Sequence, residues 1–465
     1  MSVKFLCLLL LGLGVSGCAS YHPQPLPAAP SLAPDPARLQ ITLTPSPIPG
    51  LAPHRFDPAD GLDITEVAML AVANNPGLKA VRDQRQEAKA QMLTAGLLPN
   101  PQLSAGLDHP TGGDPGLMNA ENLGLSYDLG SLVSRSATLD AARAKARQVD
   151  LSVLWQEWQV VQKARLLFIK ISGQEKLNHQ LQAYHCLLTD RYQRTAQALA
   201  AGDTTAEAAS ISLAELQALQ TRIADLARQE SQSRHELNAI LGLAPEARLD
   251  LTGGADLSTL SAEEIAAALK RLPQRRPDLL ALRAGYQSQE EQVRQEVLAQ
   301  FPALNVGLSR ARDTSGINTN GLAVTLTLPL FDRNQGHIAQ AQATRKRLKD
   351  EYQARLDTAY GEAGMVKDQI VLLKRQLKET EAAIPPLART VAQAKATLKD
   401  GDLDFTAYAA LDAALFEKRL EALALDQSLD EQQATLQTLL GIDFKGRFEG
   451  QGAGLKVKDD EIDHK

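Results

Sequence analysis

Aromatic residues make up only 4% of the 465-residue chain. So few large rings, set among Ala, Leu, Gln, Glu, Lys and Arg, favour long helices over a compact mixed fold. There are three cysteines. Cys7 lies in an apolar leader and Cys18 closes it, so Cys186 stands alone and no intrachain disulfide is available. Cys186 falls in a helical stretch and is expected to be a small core residue. After Cys18 no apolar run reaches the roughly 18 residues of a membrane helix, so any crossing of a bilayer must use β-strands. The net charge is −6 with no basic stripe, which argues against nucleic acid as a partner. No His-x-x-x-His, Cys-x-x-Cys, Gly-x-Ser-x-Gly or P-loop is present. The eight histidines are scattered, and His179 and His185 are six apart, the wrong spacing for one helix face. No catalytic constellation, metal centre or cofactor site is expected, and the chain does not read as an enzyme.

Residues 1–17 read as a targeting segment: Lys4 is the positive n-region, and Phe5 to Val15 form an apolar stretch too short to span a bilayer. Its end, Val15-Ser16-Gly17-Cys18, resembles a bacterial lipobox, which implies acylation of Cys18. Ala19 rather than Asp follows, and by analogy with lipoproteins this favours the outer membrane. Tyr21 to Pro58 holds 11 of the 23 prolines and reads as a semi-extended tether over residues 18–60, not a domain.

An internal duplication organises the rest. Pro76-Gly77-Leu78 recurs as Pro277-Asp278-Leu279, and the same offset relates Ala80 to Ala281, Arg82 to Arg283 and Gly106-Leu107 to Gly307-Leu308. After a loop two residues shorter in the second copy, a new offset pairs Leu123 with Leu322, Gly202-Asp203 with Gly401-Asp402 and Leu241-Gly242 with Leu440-Gly441. A match this long marks two copies of one unit. The first is expected over 61–244 and the second over 265–443. A connector (245–264) joins them and a solvated C-terminal tail (444–465) follows.

Each copy contains one short hairpin with period-two patterning. Leu103, Leu107, Leu123, Leu125 and Tyr127 alternate with small polar residues in the first. Leu304, Val306, Leu308, Leu322, Val324 and Leu326 do so in the second. Apolar outside and polar inside suits a membrane barrel, in which these eleven residues face lipid; a soluble sheet with one buried face has the same pattern. The lipobox and the helices favour the barrel.

After each hairpin comes a long heptad-like stretch, Ser134 to Leu199 in the first copy. Its apolar seam runs through Leu139, Ala142, Ala146, Val149, Val153, Val160, Leu167, Ile171, Leu181, Tyr184, Leu188 and Tyr192. Gly202-Asp203 ends it, Gly suiting a helix C-terminus and Asp a cap for the next helix, Thr205–Leu241. At about 1.5 Å per residue the long helix spans roughly 100 Å, and the return helix plus the helix Gly77–Leu98 nearly match it. Each copy therefore forms two parallel columns, one continuous and one assembled from two pieces. Trp155 and Trp158 fall about 30 Å from the strands, so they are expected to pack between columns. Pro385-Pro386 lies inside the second long helix and is expected to bend or break it.

Paired columns, a small hairpin at one end and two copies per chain together resemble the TolC family of outer-membrane factors, over roughly Leu62 to Ile442. The segment Leu328-Pro-Leu-Phe-Asp-Arg-Asn-Gln-Gly336 looks like the strand-to-helix junction of the cobalt–zinc–cadmium (CzcC-like) branch, although the first copy lacks the Asn-Gln-Gly element. Gly401-Asp-Leu-Asp404 resembles the family's periplasmic helix turn. The resemblance implies a mainly α fold with a small membrane β part, a TolC-like helical barrel plus a shared 12-stranded β-barrel, four strands per chain. It also implies a homotrimer in the outer membrane, a passive exit duct working with a periplasmic adaptor and an inner-membrane pump of RND type, with heavy-metal cations as one cargo class. Four strands cannot close a barrel, and open edges are not tolerated in lipid; the family resemblance selects three chains. Gly202, Asp203, Gly401, Asp402 and Asp404 would then ring the periplasmic entrance and adaptor-docking end, as carboxylates that concentrate cations or simply as helix caps. Two other readings are a periplasmic adaptor lipoprotein, which should have one helical hairpin and several β-domains, and a pore-less coiled-coil lipoprotein, which would not need alternating strands.

Overall fold

A computed structural model of the chain describes residues 20–39, 61–112, 116–255, 257, 259–302 and 304–442. Cys18 and the C-terminal tail fall outside them. The elements run α1 (Ile64–Asn74), α2 (Pro76–Gly96), β1 (Gln102–Asp108), β2 (Ala120–Asp128), α3 (Gly130–Ala201) and α4 (Ala206–Leu241), then α5 (Ala262–Arg275), α6 (Pro277–Leu298), β3 (Leu304–Arg312), β4 (Asn318–Leu326), α7 (Gln335–Asp400) and α8 (Phe405–Leu439). The second six repeat the first six in type and order. Helix α3, at 72 residues, spans about 108 Å, and α7, at 66, about 99 Å.

The columns lie side by side. Helix α3 packs against α2 and α4 on one flank and against α6 and α8 on the other, and α7 packs against α6 and α8. The lateral order is therefore α2 with α4, then α3, then α6 with α8, then α7. The four strands form one antiparallel sheet in the order β1-β2-β3-β4. Sheet and helices thus run through the copies in the same sense and leave free edges at the same two sides.

Local chemistry sets the boundaries. Asp63 with Glu66 and Ser261 with Glu264 form capping boxes at α1 and α5, each satisfying two otherwise orphan amides. Asn75 caps α2, and its Nδ2 donates to the Ile240 carbonyl (3.0 Å), which levels the start of α2 with the end of α4. Buried apolar clusters at that level hold the bundle together: Val67, Leu70, Phe168, Ile171, Leu237 and Leu241 in the first copy, and Leu272, Leu279, Val366, Leu436 and Leu440 in the second. The proline-rich segment is pinned here too. Ala33 exchanges backbone hydrogen bonds with Gly242 (3.0 Å) and Ala244 (2.7 Å), and Leu39 is buried in the first cluster.

Three expectations change. Toward the sheet the seam of α3 is one register away from the expected one: Ala137, Ala141 and Ala144 are buried. Their small side chains let α6 approach closely enough for the Ser288 hydroxyl to donate to the Ala141 carbonyl (2.8 Å). Cys186 is exposed rather than core, because the buried stripe there runs through Leu181 and Leu188 and turns Cys186 to the other side. Pro385-Pro386 does not break its helix; α7 continues through both. Ile384, Leu387 and Ala388 on either side pack into the apolar cluster between α7 and α8, which holds the column where backbone bonds are lost. Trp158 is buried and Trp155 lies between columns, with the Arg276 guanidinium 4.9 Å from its ring centroid.

Candidate functional site

The sheet end is built by strict alternation. Antiparallel register aligns Leu103 with Leu125, Leu125 with Leu308 and Leu308 with Leu322, and likewise Tyr127, Val306 and Val324. Residues in register point to the same face, so all eleven expected lipid-facing residues, Leu304 and Leu326 included, share one side. Eight are well exposed and Tyr127, Leu304 and Val306 are half-buried. The opposite face is small and polar. One row across it reads Ser104, Gly124, Ser309, Gly321. A Cβ on Gly124 would come 2.6 Å from Ser104 Oγ, and one on Gly321 2.8 Å from Ser309 Oγ. Side chains crowd on the inside of a curved sheet, so this row of serines and glycines fits the concave face and the leucines the convex one. At the lower edge the apolar surface continues through exposed Leu97, Leu98, Phe301, Leu328, Leu330 and Phe331.

The junction of sheet and helix uses one position twice. Asn334, in the left-handed region at φ 61°, donates from Nδ2 to the Glu296 carbonyl (2.9 Å) and carboxylate (2.7 Å), tying the start of α7 to the end of α6. Arg135 occupies the equivalent place in the first copy, and its Nη2 donates to the Gly96 carbonyl (2.6 Å), tying α3 to the end of α2. The Asn-Gln-Gly element is therefore a structural clasp, and the first copy achieves the same clasp with an arginine.

At the other end Gly202 (φ 82°) and Gly401 (φ 87°) terminate α3 and α7 in the left-handed conformation that glycine adopts without strain. The amide of Asp203 donates to the Ala198 carbonyl (2.8 Å) and that of Asp402 to the Thr397 carbonyl (3.0 Å). The side-chain caps of the return helices are Thr205 and Asp404, not Asp203 and Asp402. Two residues separate the helix-ending glycine from a capping position, so the Asp directly after the glycine completes the turn with its backbone. Its carboxylate stays exposed, with no partner among the described residues. Leu403 of the second turn packs with Val391, Tyr408 and Leu415 between α7 and α8; the first turn has Thr204 at that place.

About 16 Å above the first turn lies a group that the sequence did not reveal. Arg191 of α3, only 9% exposed in its side chain, donates from Nη1 to Glu215 Oε2 of α4 (3.1 Å) and from Nη2 to Asp412 of α8. Tyr184 donates its hydroxyl to Asp412 Oδ2 (3.3 Å) and stacks on Phe416 at 3.8 Å between centroids. The guanidinium also lies 5.5 Å from the Tyr408 ring centroid. One cation thus joins three helices and both copies. Burial works to lower the Arg191 pKa, but the hydrogen bond and charge of Asp412 outweigh it and the pKa is raised. Burial lifts the Glu215 carboxyl above its ordinary range despite the opposing pull of Arg191. Burial and then Asp412 raise the Tyr184 phenol. Periodicity could flag Arg191 only as a charge near an apolar seam; nothing in the sequence pairs it with Asp412, 221 residues away.

Among the described residues no cluster of three His, Cys, Asp or Glu is arranged to hold a metal ion, and no helix is long and apolar enough to cross a membrane. Residues 268–442 match the family described as outer membrane efflux protein. The chain is 24% identical over 392 residues to the cobalt-zinc-cadmium resistance protein CzcC of Cupriavidus metallidurans, covering 82% of this chain and 91% of that one. The family match lies within the second copy, so in this stretch the chain is similar to outer membrane efflux proteins. Its fold is that of the solved channels. CusC superposes with a TM-score of 0.70 at 17% identity, covering 87% of this chain and 99% of CusC. VceC of Vibrio cholerae does so at 0.69 and 15%, covering 82% and 96%. These likenesses make the chain an outer-membrane efflux channel, and the family matched over residues 268–442 is one of channels rather than enzymes.

Proposed function

We propose that three copies of the chain join head to tail into one tube, a 12-stranded barrel in the outer membrane continued by a helical barrel in the periplasm. The tube conducts cargo passively from a periplasmic adaptor and an inner-membrane pump of RND type, with no catalytic step of its own. The carrying observation is the coincidence of free edges: β1 and β4 bound the sheet where α2 with α4 and α7 bound the columns. Joining β4 to the next chain's β1 therefore also places α7 beside the next chain's α2 and α4. A monomer leaves sheet edges unpaired in lipid, which is not tolerated, and eight strands give an interior filled by side chains, whereas twelve leave a lumen.

Gly202, Asp203, Gly401, Asp402 and Asp404 form the entrance and the adaptor-docking rim. Threefold repetition sets nine carboxylates around that mouth, and Asp203 and Asp402 are not engaged in capping. Such a ring favours cations, which suits heavy-metal cargo of the kind named for the cobalt-zinc-cadmium resistance protein. Cys18 carries lipid. Its tether is fixed at Ala33, 15 residues on, and an extended proline-rich chain of that length reaches about 46 Å. Helix α2 rises about 32 Å from the same level to the sheet, so the acyl group can enter the inner leaflet.

The test is the mass and conductance of the detergent-purified protein. A particle of three chains that opens ion-conducting steps in a planar bilayer is expected. A monodisperse monomer without conductance would refute the ring. Cobalt, zinc and cadmium accumulation in cells lacking the chain tests the cargo.

A further inference from the structure

We propose that the convex face of β3 carries a binding site for the phosphorylated headgroup of an outer-leaflet lipid, built on Arg310 and Arg312. The proposal rests on the reading of that face as lipid-facing. On it, the rows nearest the helices are apolar, but the next two change character. Arg310 aligns with Leu123 and Asn320, and Arg312 with Glu121 and Asn318. Two residues apart on one strand, the arginines point the same way.

Neither guanidinium is neutralised. Arg310 is exposed and makes no ion pair or hydrogen bond among the described residues. Arg312 is half-buried; its Nη2 meets only the soft sulfur of Met118 (3.0 Å), and its Nε is shielded from solvent without a hydrogen-bond partner. Glu121, opposite Arg312 in register, forms no ion pair among the described residues, and with one carboxylate for two guanidinium groups a positive surplus remains.

Height decides the ligand. From Leu304 to Arg310 is six residues, about 20 Å along the strand and about 15 Å along the membrane normal at a tilt near 40°. Leu328, Leu330 and Phe331 extend the apolar surface below Leu304, so the arginines meet the upper edge of a band about 25 Å tall. An arginine facing lipid is expensive at mid-bilayer and nearly free at the interface. At that interface the anions within reach are lipid phosphates, and the planar fork of a guanidinium matches a phosphate bidentately. The flanking amides of Asn318 and Asn320 supply further donors. The ligand class is a phosphorylated glycolipid of the lipid A type, one per chain.

Delipidated wild-type protein in detergent is titrated with diphosphorylated lipid A and with its dephosphorylated form, with bound lipid counted by native mass spectrometry. Phosphorylated lipid A should bind wild type at least tenfold more tightly than the dephosphorylated form. The double variant Arg310→Gln/Arg312→Gln should lose that preference while keeping its oligomeric mass. Equal binding of both lipids by wild type overturns the site even if the variant fails to fold. Inorganic phosphate binding to wild type with the same arginine dependence reassigns it to free anion and overturns the lipid. In a Cys186→Ser background, a fluorophore at Leu308→Cys should be quenched by nitroxide lipid. A quenched label without lipid A preference sinks the site alone, whereas an unquenched label sinks the lipid-facing assignment beneath it.

Discussion

Replacing Arg191 by methionine removes a cation that ties α3 to both α4 and α8 while keeping the length of the side chain. The side chains of Arg191, Asp412 and Glu215 are 9%, 14% and 25% exposed. Breaking a buried ion pair by deleting one partner costs about 3–5 kcal/mol, because the stranded carboxylates lose their compensation. Water reaches Glu215, so about 2–3 kcal/mol is expected for Arg191→Met, a shift of roughly 30- to 150-fold toward the separated state at about 1.4 kcal/mol per tenfold. The thermal midpoint should fall and the resting conductance of the reconstituted channel should rise. The size of the effect should depend on pH. Glu215 already titrates above its ordinary range through burial, and without Arg191 it should titrate higher still. A carboxyl with a raised folded-state pKa is a burden above that pKa and none below its unfolded value. The penalty of Arg191→Met should therefore shrink as pH falls from 7 toward 5. Asp412→Leu in the same chain should return part of the loss, since the stranded charge goes with it; a double-mutant cycle measures the coupling. An unchanged midpoint and conductance in Arg191→Met would refute the reasoning.

Asp430 sits beside Asp426, and burial followed by that neighbouring charge pushes its pKa up to about 6. Its folded-state pKa exceeds the unfolded value, so ionisation above pH 6 is destabilising. Discounted for its exposure to solvent, the burden is about 1 kcal/mol. Asp430→Asn should thus melt higher than wild type at pH 7.5 and match it near pH 4; a variant equal to wild type at both pH values speaks against the shift. Asn334→Ala should cost about 2–3 kcal/mol through two lost hydrogen bonds and a left-handed backbone that alanine resists, read as a lower midpoint. Asp203→Lys/Asp402→Lys should lower the cation-to-anion permeability ratio and leave stability within about 0.5 kcal/mol. Asp404→Lys should also lose about 1 kcal/mol as a broken N-cap, so equal melting of the two variants would contradict the division between caps and free carboxylates.

The parts of the fold that were legible are those written in periodicities. Alternation puts all eleven residues on one face because a strand has a single strong period and the register keeps it across four strands. Helix lengths follow from uninterrupted heptad-like stretches closed by Gly202 and Gly401. The caps were misplaced because Asp203 and Thr205 are both competent capping residues, and only backbone geometry decides between them. The position of Cys186 was misjudged because it lies two residues from a buried leucine on a helix where that spacing points nearly to the opposite side. The continuity of α7 through Pro385-Pro386 was illegible because proline's local cost is fixed, whereas the compensating packing of Ile384, Leu387 and Ala388 is tertiary.

The duplication explains why the remaining feature stayed hidden. At the sheet junction the copies solve one problem at one position, Arg135 in the first and Asn334 in the second, and the function of the pair emerges once both are bonded to the preceding helix. The Arg191 group obeys no such rule. The repeat offset carries Tyr184, Arg191 and Glu215 onto Ala383, Thr390 and Ala414, and carries Asp412 back onto Leu213. None of the four has a chemical counterpart, so comparison of the copies filters the group out as noise. The reason is geometric. The group bridges α3 of the first copy to α8 of the second, a joint that exists once per chain. The copies repeat what each unit needs to fold, and they differ where one unit must grip the other; in a duplicated chain the unmatched charged residues beside an apolar seam mark that grip.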